Sequence, residues 1–151
     1  MFLDYDVAEE TVKQIIFKSD VSQVLQNVVD YLYKCFDKYS WVGIYFVEGK
    51  YLVLGPWNGE QATEHTKILV GKGVCGSAAQ SGKTEVVADV FKDDRYLACF
   101  VSTRSEIVVP IKKDGIVVGE IDIDSDTPSA FDNSDAVFLE KVADMISNII
   151  D

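Results

Sequence analysis

The chain has 151 residues with 14 basic and 25 acidic side chains, which gives a formal net charge of −11 at pH 7. This length fits a single domain. The negative charge argues against nucleic acid and anionic membranes as partners, because neither rewards a negative surface. No apolar run approaches the roughly 18 residues that a membrane span needs, and the N-terminus lacks a secretory hydrophobic segment. We therefore expect a cytoplasmic protein that binds neither membrane nor nucleic acid.

The cysteine and histidine content limits the kinds of site that the chain can form. Cys35, Cys75 and Cys99 form no CxxC pair, and His65 is the single histidine. An odd number of cysteines without a secretion signal argues against a structural disulfide framework. Zinc sites usually need clustered Cys and His ligands, and Gly71-Lys72-Gly73 is too short for a phosphate loop. We therefore expect no metal and no cofactor.

The first third of the chain predicts two helices and a hairpin. Val7 to Phe17 is a short amphipathic stretch, and apolar residues from Val21 to Phe36 recur at helical spacing. The β-branched and aromatic stretches Trp41 to Val47 and Tyr51 to Leu54 then predict two paired strands. Gly55-Pro56 predicts the end of this hairpin.

The middle of the chain predicts short elements followed by a long connection. Thr66 to Val70 is strand-like, Val74 to Gln80 predicts a short helix, and Thr84 to Val87 is strand-like again. Ala88 to Thr103 has no clear period, and we expect a long loop with a helical turn there. A loop of this length in a compact domain is usually functional.

The last third predicts a closing hairpin and a terminal helix. The strands are Glu106 to Ile111 and Ile116 to Ile123, and the helix runs from about Ser134 to Ile150. Strands bracketed by terminal helices predict an α+β fold with a central antiparallel sheet of about six strands. Since no linker interrupts the chain, we expect one domain over residues 1–151, with residues 1–20 as an N-terminal helical extension.

Acidic residues inside apolar strands are the most informative feature. Residues two apart in a strand share a face, so Asp122 and Asp124 lie together with Glu120 in phase. An ordinary half-buried strand turns such acids to water. If Glu106 lies on the neighbouring strand, however, its side chain joins Asp122 and Asp124 over a pocket. Cys99 lies seven residues before Glu106. A thiol near clustered carboxyls indicates chemistry that needs a nucleophile and a proton donor.

Several short stretches occur in an order that matches a known family. They are Trp41-Val42-Gly43-Ile44-Tyr45, Leu54-Gly55-Pro56-Trp57-Asn58-Gly59, Gly71-Lys72-Gly73-Val74-Cys75-Gly76-Ser77-Ala78, Ala98-Cys99, Ser105-Glu106-Ile107-Val108-Val109-Pro110 and Asp122-Ile123-Asp124-Ser125. The set resembles a GAF domain and, more narrowly, the free methionine-(R)-sulfoxide reductases, which are stand-alone GAF domains. The resemblance covers about residues 20–148.

This resemblance implies an activity and a set of roles. Free methionine-(R)-sulfoxide, or a related small zwitterion, is reduced while a cysteine is oxidised, and a thioredoxin-like dithiol protein restores the thiol. The resemblance implies Cys99 as the nucleophile. The implied substrate-binding residues are Trp41 and Tyr45 as pocket wall, and Glu106, Asp122 and Asp124 as acids. Because terminal helices of GAF domains often pair, it also implies a homodimer.

The chemistry of sulfoxide reduction explains the need for clustered acids. The oxygen leaves only when protonated, and an isolated carboxyl with a pKa near ~4 has lost its proton at neutral pH. Crowded carboxyls cannot all ionise, so one pKa rises. We expect Glu106 to carry that proton while Asp122 or Asp124 binds the substrate ammonium.

Cys75 is the candidate resolving thiol. It follows Gly71-Lys72-Gly73 at a helix start, where backbone N–H groups and the helix dipole favour a thiolate. The same N–H groups could hold the substrate carboxylate. Core packing alone would also explain Cys75, just as it explains Cys35, Trp41 and Tyr45.

The chain departs from the family pattern near two cysteines. The family usually carries another cysteine shortly after the Gly59 position, where this chain offers Thr63 or His65. The family also tends to have His-Ile-Ala-Cys-Asp at the nucleophile, where this chain has Tyr96-Leu97-Ala98-Cys99-Phe100. Resolution must then use Cys75 or an external thiol. The alternatives are a non-catalytic GAF sensor that binds a small molecule, and a structural or dimerisation module.

Overall fold

The computed structural model describes residues 4–97 and 100–150. Its strands are β1 (Trp41–Glu48), β2 (Tyr51–Gly59), β3 (Lys67–Leu69), β4 (Glu85–Val87), β5 (Ser105–Lys113) and β6 (Ile116–Ser125). Its α-helices are α1 (Tyr5–Lys18), α2 (Val24–Cys35), α3 (Gly73–Ser81) and α4 (Asn133–Ser147). One turn of 3-10 helix, Val90–Lys92, lies in the long β4–β5 connection, as predicted.

The strands form one antiparallel sheet in the order β3-β2-β1-β6-β5-β4. The central strand pair is therefore β1 and β6, which are far apart in sequence. Together with the four helices, this arrangement confirms the predicted α+β fold with about six strands.

Different elements pack on the two faces of the sheet. On one face, α1, α2 and α4 pack over alternate apolar residues such as Ile44, Ile107 and Ile121, and this is the main hydrophobic core. On the other face, α3 and the long connections cover a smaller apolar cluster around Leu52 and Val74. The second face also carries the acidic residues, and it is the face that can form a site.

Strand β2 is longer than predicted, because it continues through Gly55-Pro56 to Gly59. The pairing register of β1 and β2 shifts between Gly43 and Tyr45, where Gly55-Pro56 interrupts the regular ladder. Beyond this shift the pairing continues as far as Trp41 opposite Gly59. Strand β3 pairs only with residues 51–53, so the outer edge of β2 beyond them tolerates a proline.

Helix α2 begins later than the apolar spacing predicted. It starts at Val24, and Val21 is 84% exposed in the turn before it. Ser19, before this turn, accepts a hydrogen bond from the Asn27 side chain at 3.0 Å. Within the described ranges, no helix is both long and apolar enough to cross a membrane.

Candidate active site

The sheet register brings the predicted acids together. Glu106 on β5 lies opposite Asp124 on β6, which in turn lies opposite Trp41 on β1. Asp122 lies opposite Gly43, one step further along the same face. The predicted adjacency of the two acidic strands is therefore confirmed. The consecutive strands β5 and β6 thus carry a single acidic patch beneath α3 and the long loops.

This patch is buried rather than solvated. The exposed fractions are 3% for Glu106, 0% for Glu120, 1% for Asp122 and 2% for Asp124. In the described parts of the chain, both oxygens of Glu120 and Asp124 and Oδ1 of Asp122 lack a hydrogen-bond partner. Buried carboxyls of this kind are costly unless they hold a proton or meet a cation. The patch is therefore suited to proton storage or to a positively charged ligand.

Burial dominates the electrostatics of these acids. It raises the pKa of Glu120, Asp122 and Asp124, and the charge of Asp122 raises the pKa of Glu120 and Asp124 further. The predicted effect of crowding on carboxyl pKa values is thus found for Glu120 and Asp124, whereas burial alone raises the pKa of Asp122. The patch keeps protons at a pH where an isolated carboxyl has lost them.

Cys75 lies directly against the acids. It is the third residue of α3, and its thiol donates a long hydrogen bond to Glu106 Oε2 at 3.9 Å. Burial, and then the charges of Asp122, Glu120, Glu106 and Asp124, raise its pKa well above that of an ordinary thiol. The prediction that the helix start favours a thiolate is therefore wrong. Desolvation and several neighbouring acids outweigh the partial positive charge of about half a unit at a helix N-terminus.

The indole of Trp41 lies across two glycines. A Cβ at Gly43 would fall 2.3 Å from Trp41 Cη2, and one at Gly59 would fall 2.4 Å from Cδ1. Trp57 stacks 6.2 Å away and Phe100 is tilted 5.9 Å away, measured between ring centroids. The Trp41 Nε1 donor has no partner among the described residues. Trp41 therefore offers an apolar ring and a spare donor at the edge of the acidic patch.

A cavity of about 420 Å³ opens beside this ring, and it reaches the acidic patch at Asp124. Trp41 and Phe100 form apolar parts of its wall, and Lys34 and Thr103 form polar parts. The other acids of the patch do not line it, although Glu106 is the direct cross-strand neighbour of Asp124. Asp124 is therefore the member of the acidic patch nearest to a small polar molecule in the cavity.

Tyr45, predicted as part of the pocket wall, lies opposite Glu120 on the acidic face of the sheet. It is buried in the smaller apolar cluster with Leu52 and Ile68, and its hydroxyl donates to the His65 carbonyl at 2.7 Å. It is not among the residues that line the cavity. Tyr45 therefore fixes the segment after β2, in which the Thr63 hydroxyl accepts from the His65 amide at 3.0 Å.

Cys99, the predicted nucleophile, lies with Ala98 outside the described residues. The described residues that flank this gap, Leu97 and Phe100, both contact the site. Leu97 packs on Gly73 at the start of α3, where a Cβ would fall 2.8 Å from Leu97 Cδ1. Phe100 contacts Trp41 on the other side.

Sequence analysis gave no role to four residues that contribute to the site. Glu120 was noted only as in phase with its neighbours, although burial and the missing hydrogen bonds make it part of the patch. Phe100 was treated only as a departure, yet it lines the cavity. Gly43 and Gly59 leave the space that the Trp41 ring occupies, and the pairing of Trp41 opposite Gly59 that brings the second of them there is not visible in the sequence.

The GAF domain family matches residues 20–150, so the chain belongs to the GAF domain family. A free methionine-R-sulfoxide reductase of Saccharomyces cerevisiae is 45% identical over 112 residues, covering 72% of this chain and 61% of that protein. The Escherichia coli protein of that name is 32% identical over 126 residues, covering 83% and 75%. The substrate complex of the Neisseria meningitidis enzyme superposes with a TM-score of 0.91 at 34% identity, over 99% of this chain and 92% of that one. Within the GAF domains, the chain belongs to the free methionine-R-sulfoxide reductases, which are oxidoreductases.

Proposed function

We propose that this chain reduces free L-methionine-(R)-sulfoxide to methionine in the cavity beside Trp41. The observation that carries the proposal is the buried patch of acids at the end of this cavity, with unsatisfied oxygens on Asp122 and Asp124. A free amino acid supplies the ammonium that such oxygens lack. A peptide-bound residue does not, because its nitrogen is a neutral amide.

The cavity divides into parts that suit the two ends of this substrate. The ammonium binds Asp124, with Asp122 beside it, because these oxygens lack other donors in the described chain. The methyl group packs on the Trp41 ring, and Phe100 closes that side. The sulfoxide oxygen then faces Glu106, the proposed proton donor.

The reaction needs one nucleophile and one proton donor. The Cys99 thiolate attacks the sulfoxide sulfur while Glu106 gives a proton to the oxygen, and methionine leaves as Cys99 becomes a sulfenic acid. The Cys75 thiol then attacks the Cys99 sulfur, and a disulfide forms with loss of water. A thioredoxin-like dithiol reduces this disulfide. In sum, sulfoxide and dithiol give methionine, disulfide and water.

The high pKa of Cys75 fits this order of events. Its thiol is held protonated by burial and by the neighbouring acids, so it does not compete as the first nucleophile. Once Glu106 has given its proton to the substrate, its carboxylate lies 3.9 Å from the Cys75 sulfur and can accept the thiol proton. Cys75 is thereby activated only after the first step.

A GAF sensor that binds the sulfoxide without reducing it is the second candidate. The observation in its favour is Thr63, which occupies the segment where the family usually has a further cysteine and is held there by the His65 amide. In this reading the cavity and the acids serve binding alone.

An assay with the two epimers of free methionine sulfoxide separates these functions. The protein is incubated with either epimer and dithiothreitol or a thioredoxin system, and methionine is measured. The enzyme predicts turnover of the R epimer that Cys99→Ser abolishes and Cys35→Ser leaves intact. Binding of the R epimer without turnover would establish the sensor, and neither binding nor turnover would contradict both.

A further inference from the structure

We propose that Cys75, Glu106 and Asp122 form a binding site for a thiophilic divalent cation such as Zn²⁺. The three side chains come from α3, β5 and β6 and converge on one point of the buried patch. The cation would occupy the acidic patch in place of its protons and would hold Cys75 as a thiolate.

The donor atoms have the spacing of a metal site. One ligand atom from each of the three residues lies within 4.8 Å of the other two, and the Cys75 sulfur is 3.9 Å from Glu106 Oε2. With Zn–S near 2.3 Å and Zn–O near 2.1 Å, tetrahedral coordination places sulfur and oxygen about 3.6 Å apart. Closing the Cys75–Glu106 pair therefore needs a shift of about 0.3 Å, and the pairs with Asp122 start from within 4.8 Å. Three protein ligands leave a fourth position for water.

The unsatisfied acids around these ligands point independently to a positively charged occupant. Asp122 Oδ1 is buried and has no hydrogen-bond partner among the described residues. Both oxygens of Glu120 and Asp124, on either side of Asp122 in β6, lack one as well. A buried acid in this condition is stabilised by a cation.

The composition of the donor set selects the class of metal. Thiolate sulfur with carboxylate oxygen suits Zn²⁺, Co²⁺ and Cd²⁺, whereas Mg²⁺ and Ca²⁺ prefer sites made of oxygen alone. On binding, the Cys75 thiol loses its proton to solvent and the sulfur–metal bond forms. Metal affinity therefore increases with pH.

Metal binding would also stop the proposed reaction. The ion takes Cys75, the resolving thiol, and Glu106, the proton donor. This consequence rests on the proposed function, whereas the binding itself does not. Sequence reasoning excluded a metal because it looked for closely spaced Cys and His, and these ligands are 31 and 16 residues apart along the chain, from Cys75 to Glu106 and from Glu106 to Asp122.

Titration of the reduced protein with Co²⁺ tests the site without reference to turnover. A thiolate–Co²⁺ charge-transfer band in the near ultraviolet is expected, saturating at one ion per chain, and Zn²⁺ should displace it. Loss of an outer-shell partner alone weakens metal binding by about 10–100-fold, so Cys75→Ser should abolish the band and weaken Zn²⁺ binding at least about tenfold. Asp122→Asn should weaken binding too, while Cys35→Ser is the matched control that keeps the band. Thermal unfolding of each variant verifies that it is folded.

Three outcomes would overturn the proposal. They are no thiolate–Co²⁺ band in the folded wild-type protein, a band that survives Cys75→Ser and disappears in Cys99→Ser or Cys35→Ser, and binding of Mg²⁺ as tight as that of Zn²⁺. A band in a protein without reductase activity would leave the metal site standing and refute the proposed function. Turnover that saturating Zn²⁺ does not inhibit would refute the metal's effect on the reaction.

Discussion

Gly43 allows Trp41 to lie flat against the sheet beside the acids. A Cβ at this position would fall 2.3 Å from the indole, at the rigid end of a ring already held by Trp57 and Phe100. The ring also lines the cavity, so displacing it changes the shape of the cavity. In the proposed complex the substrate's methyl group packs on this ring, so its position depends on Gly43.

We predict that Gly43→Ala lowers both activity and stability. Overpacking costs about 1–3 kcal/mol, and the displaced indole should raise KM for the R epimer several-fold. Gly49→Ala is the control, since a Cβ at this turn glycine contacts nothing within 4 Å and costs only its left-handed backbone strain. Urea unfolding and steady-state kinetics measure both effects. An unchanged KM in Gly43→Ala would contradict this role of the ring.

We predict that Glu120→Gln changes how stability depends on pH. The folded-state pKa of Glu120 is raised, so above the unfolded-state pKa of about 4.3 the folded protein binds more protons and stability falls as pH rises. Because Gln does not titrate, the unfolding free energy of the variant should decrease less steeply with pH, by up to about 1.4 kcal/mol per pH unit. The variant should therefore be more stable than the wild type at neutral pH.

Urea unfolding between pH 5 and 8 measures this difference, with the exposed Glu48→Gln as control. Parallel pH dependences for wild type and Glu120→Gln would show that Glu120 ionises in the folded protein as freely as in the unfolded chain.

At the level of single residues, sequence analysis predicted the acids because a period of two is visible in β6. Their burial could not be predicted, because it depends on α3 and loops that are distant in sequence. Cys75 shows the same limit. Its place at a helix start was predicted, but the direction of its pKa shift was wrong because the neighbouring acids come from β5 and β6.

At the level of elements, the β4–β5 connection is fixed by one arginine. Arg95 donates to Glu85 on β4 at 3.1 Å and to Asp93 in the loop at 2.8 Å. Two residues later, Leu97 packs on Gly73 of α3. Arg95 therefore positions the segment that leads to Cys99.

We predict that Arg95→Gln lowers kcat more than it lowers stability. Partly exposed ion pairs contribute about 0–1 kcal/mol, so the unfolding free energy should change little. The loop should exchange its amide hydrogens faster over residues 89–104, and kcat should drop several-fold. The control is Lys92→Gln, which removes a positive charge from an exposed position in the same loop. Unchanged exchange and kcat would show that the loop does not depend on Arg95.

The sequence predicted the type and order of every helix and strand, and the errors lie at their ends. The Gly55-Pro56 pair was interpreted as a turn because both residues disfavour central strands. Strand β2 continues because its outer neighbour β3 is short and because a shift in the β1–β2 register, with Gly55 and Pro56 opposite Ile44, accommodates the extra residue. Such features depend on the partner strand and are not local to the sequence.

At the scale of the whole molecule, a buried polar network joins the terminal helices to the rest. Asp135 near the start of α4 accepts hydrogen bonds from Lys38 Nζ at 2.7 Å, Tyr39 at 2.7 Å and Tyr5 of α1 at 3.0 Å. Although burial acts in the opposite direction, the hydrogen bond from Lys38 contributes most to holding the pKa of Asp135 below its usual value. We propose that residues 1–151 form one domain, with α1 attached as an extension through this network.

We predict that Asp135→Asn destabilises the fold without changing the site. It leaves the Lys38 ammonium, 24% exposed, without its counter-ion, and removal of one partner from a buried pair costs about 3–5 kcal/mol. The wild-type contribution is present above the unfolded-state pKa of Asp, about 3.9, and is lost as pH falls below it.

Urea unfolding at pH 7 should show that Asp135→Asn lowers the unfolding free energy by about 3 kcal/mol, the lower end of the range for buried pairs, because Lys38 is partly solvated. KM for the R epimer should stay unchanged in the folded variant. Asp144→Asn, exposed on the same helix, is the control. Equal stability of the two variants would mean that the network does not hold the helices together.

The central claim is that a buried acid next to the cavity provides the proton for reduction, and Glu106→Gln tests it most directly. The amide keeps the shape of the side chain but cannot protonate the sulfoxide oxygen. General acid catalysis contributes about 10²–10⁴-fold, so kcat for the R epimer should fall by that factor while binding, measured by calorimetry in a Cys99→Ser background, changes little. Near-normal kcat in Glu106→Gln, equal to that of the control Glu48→Gln, would contradict the account.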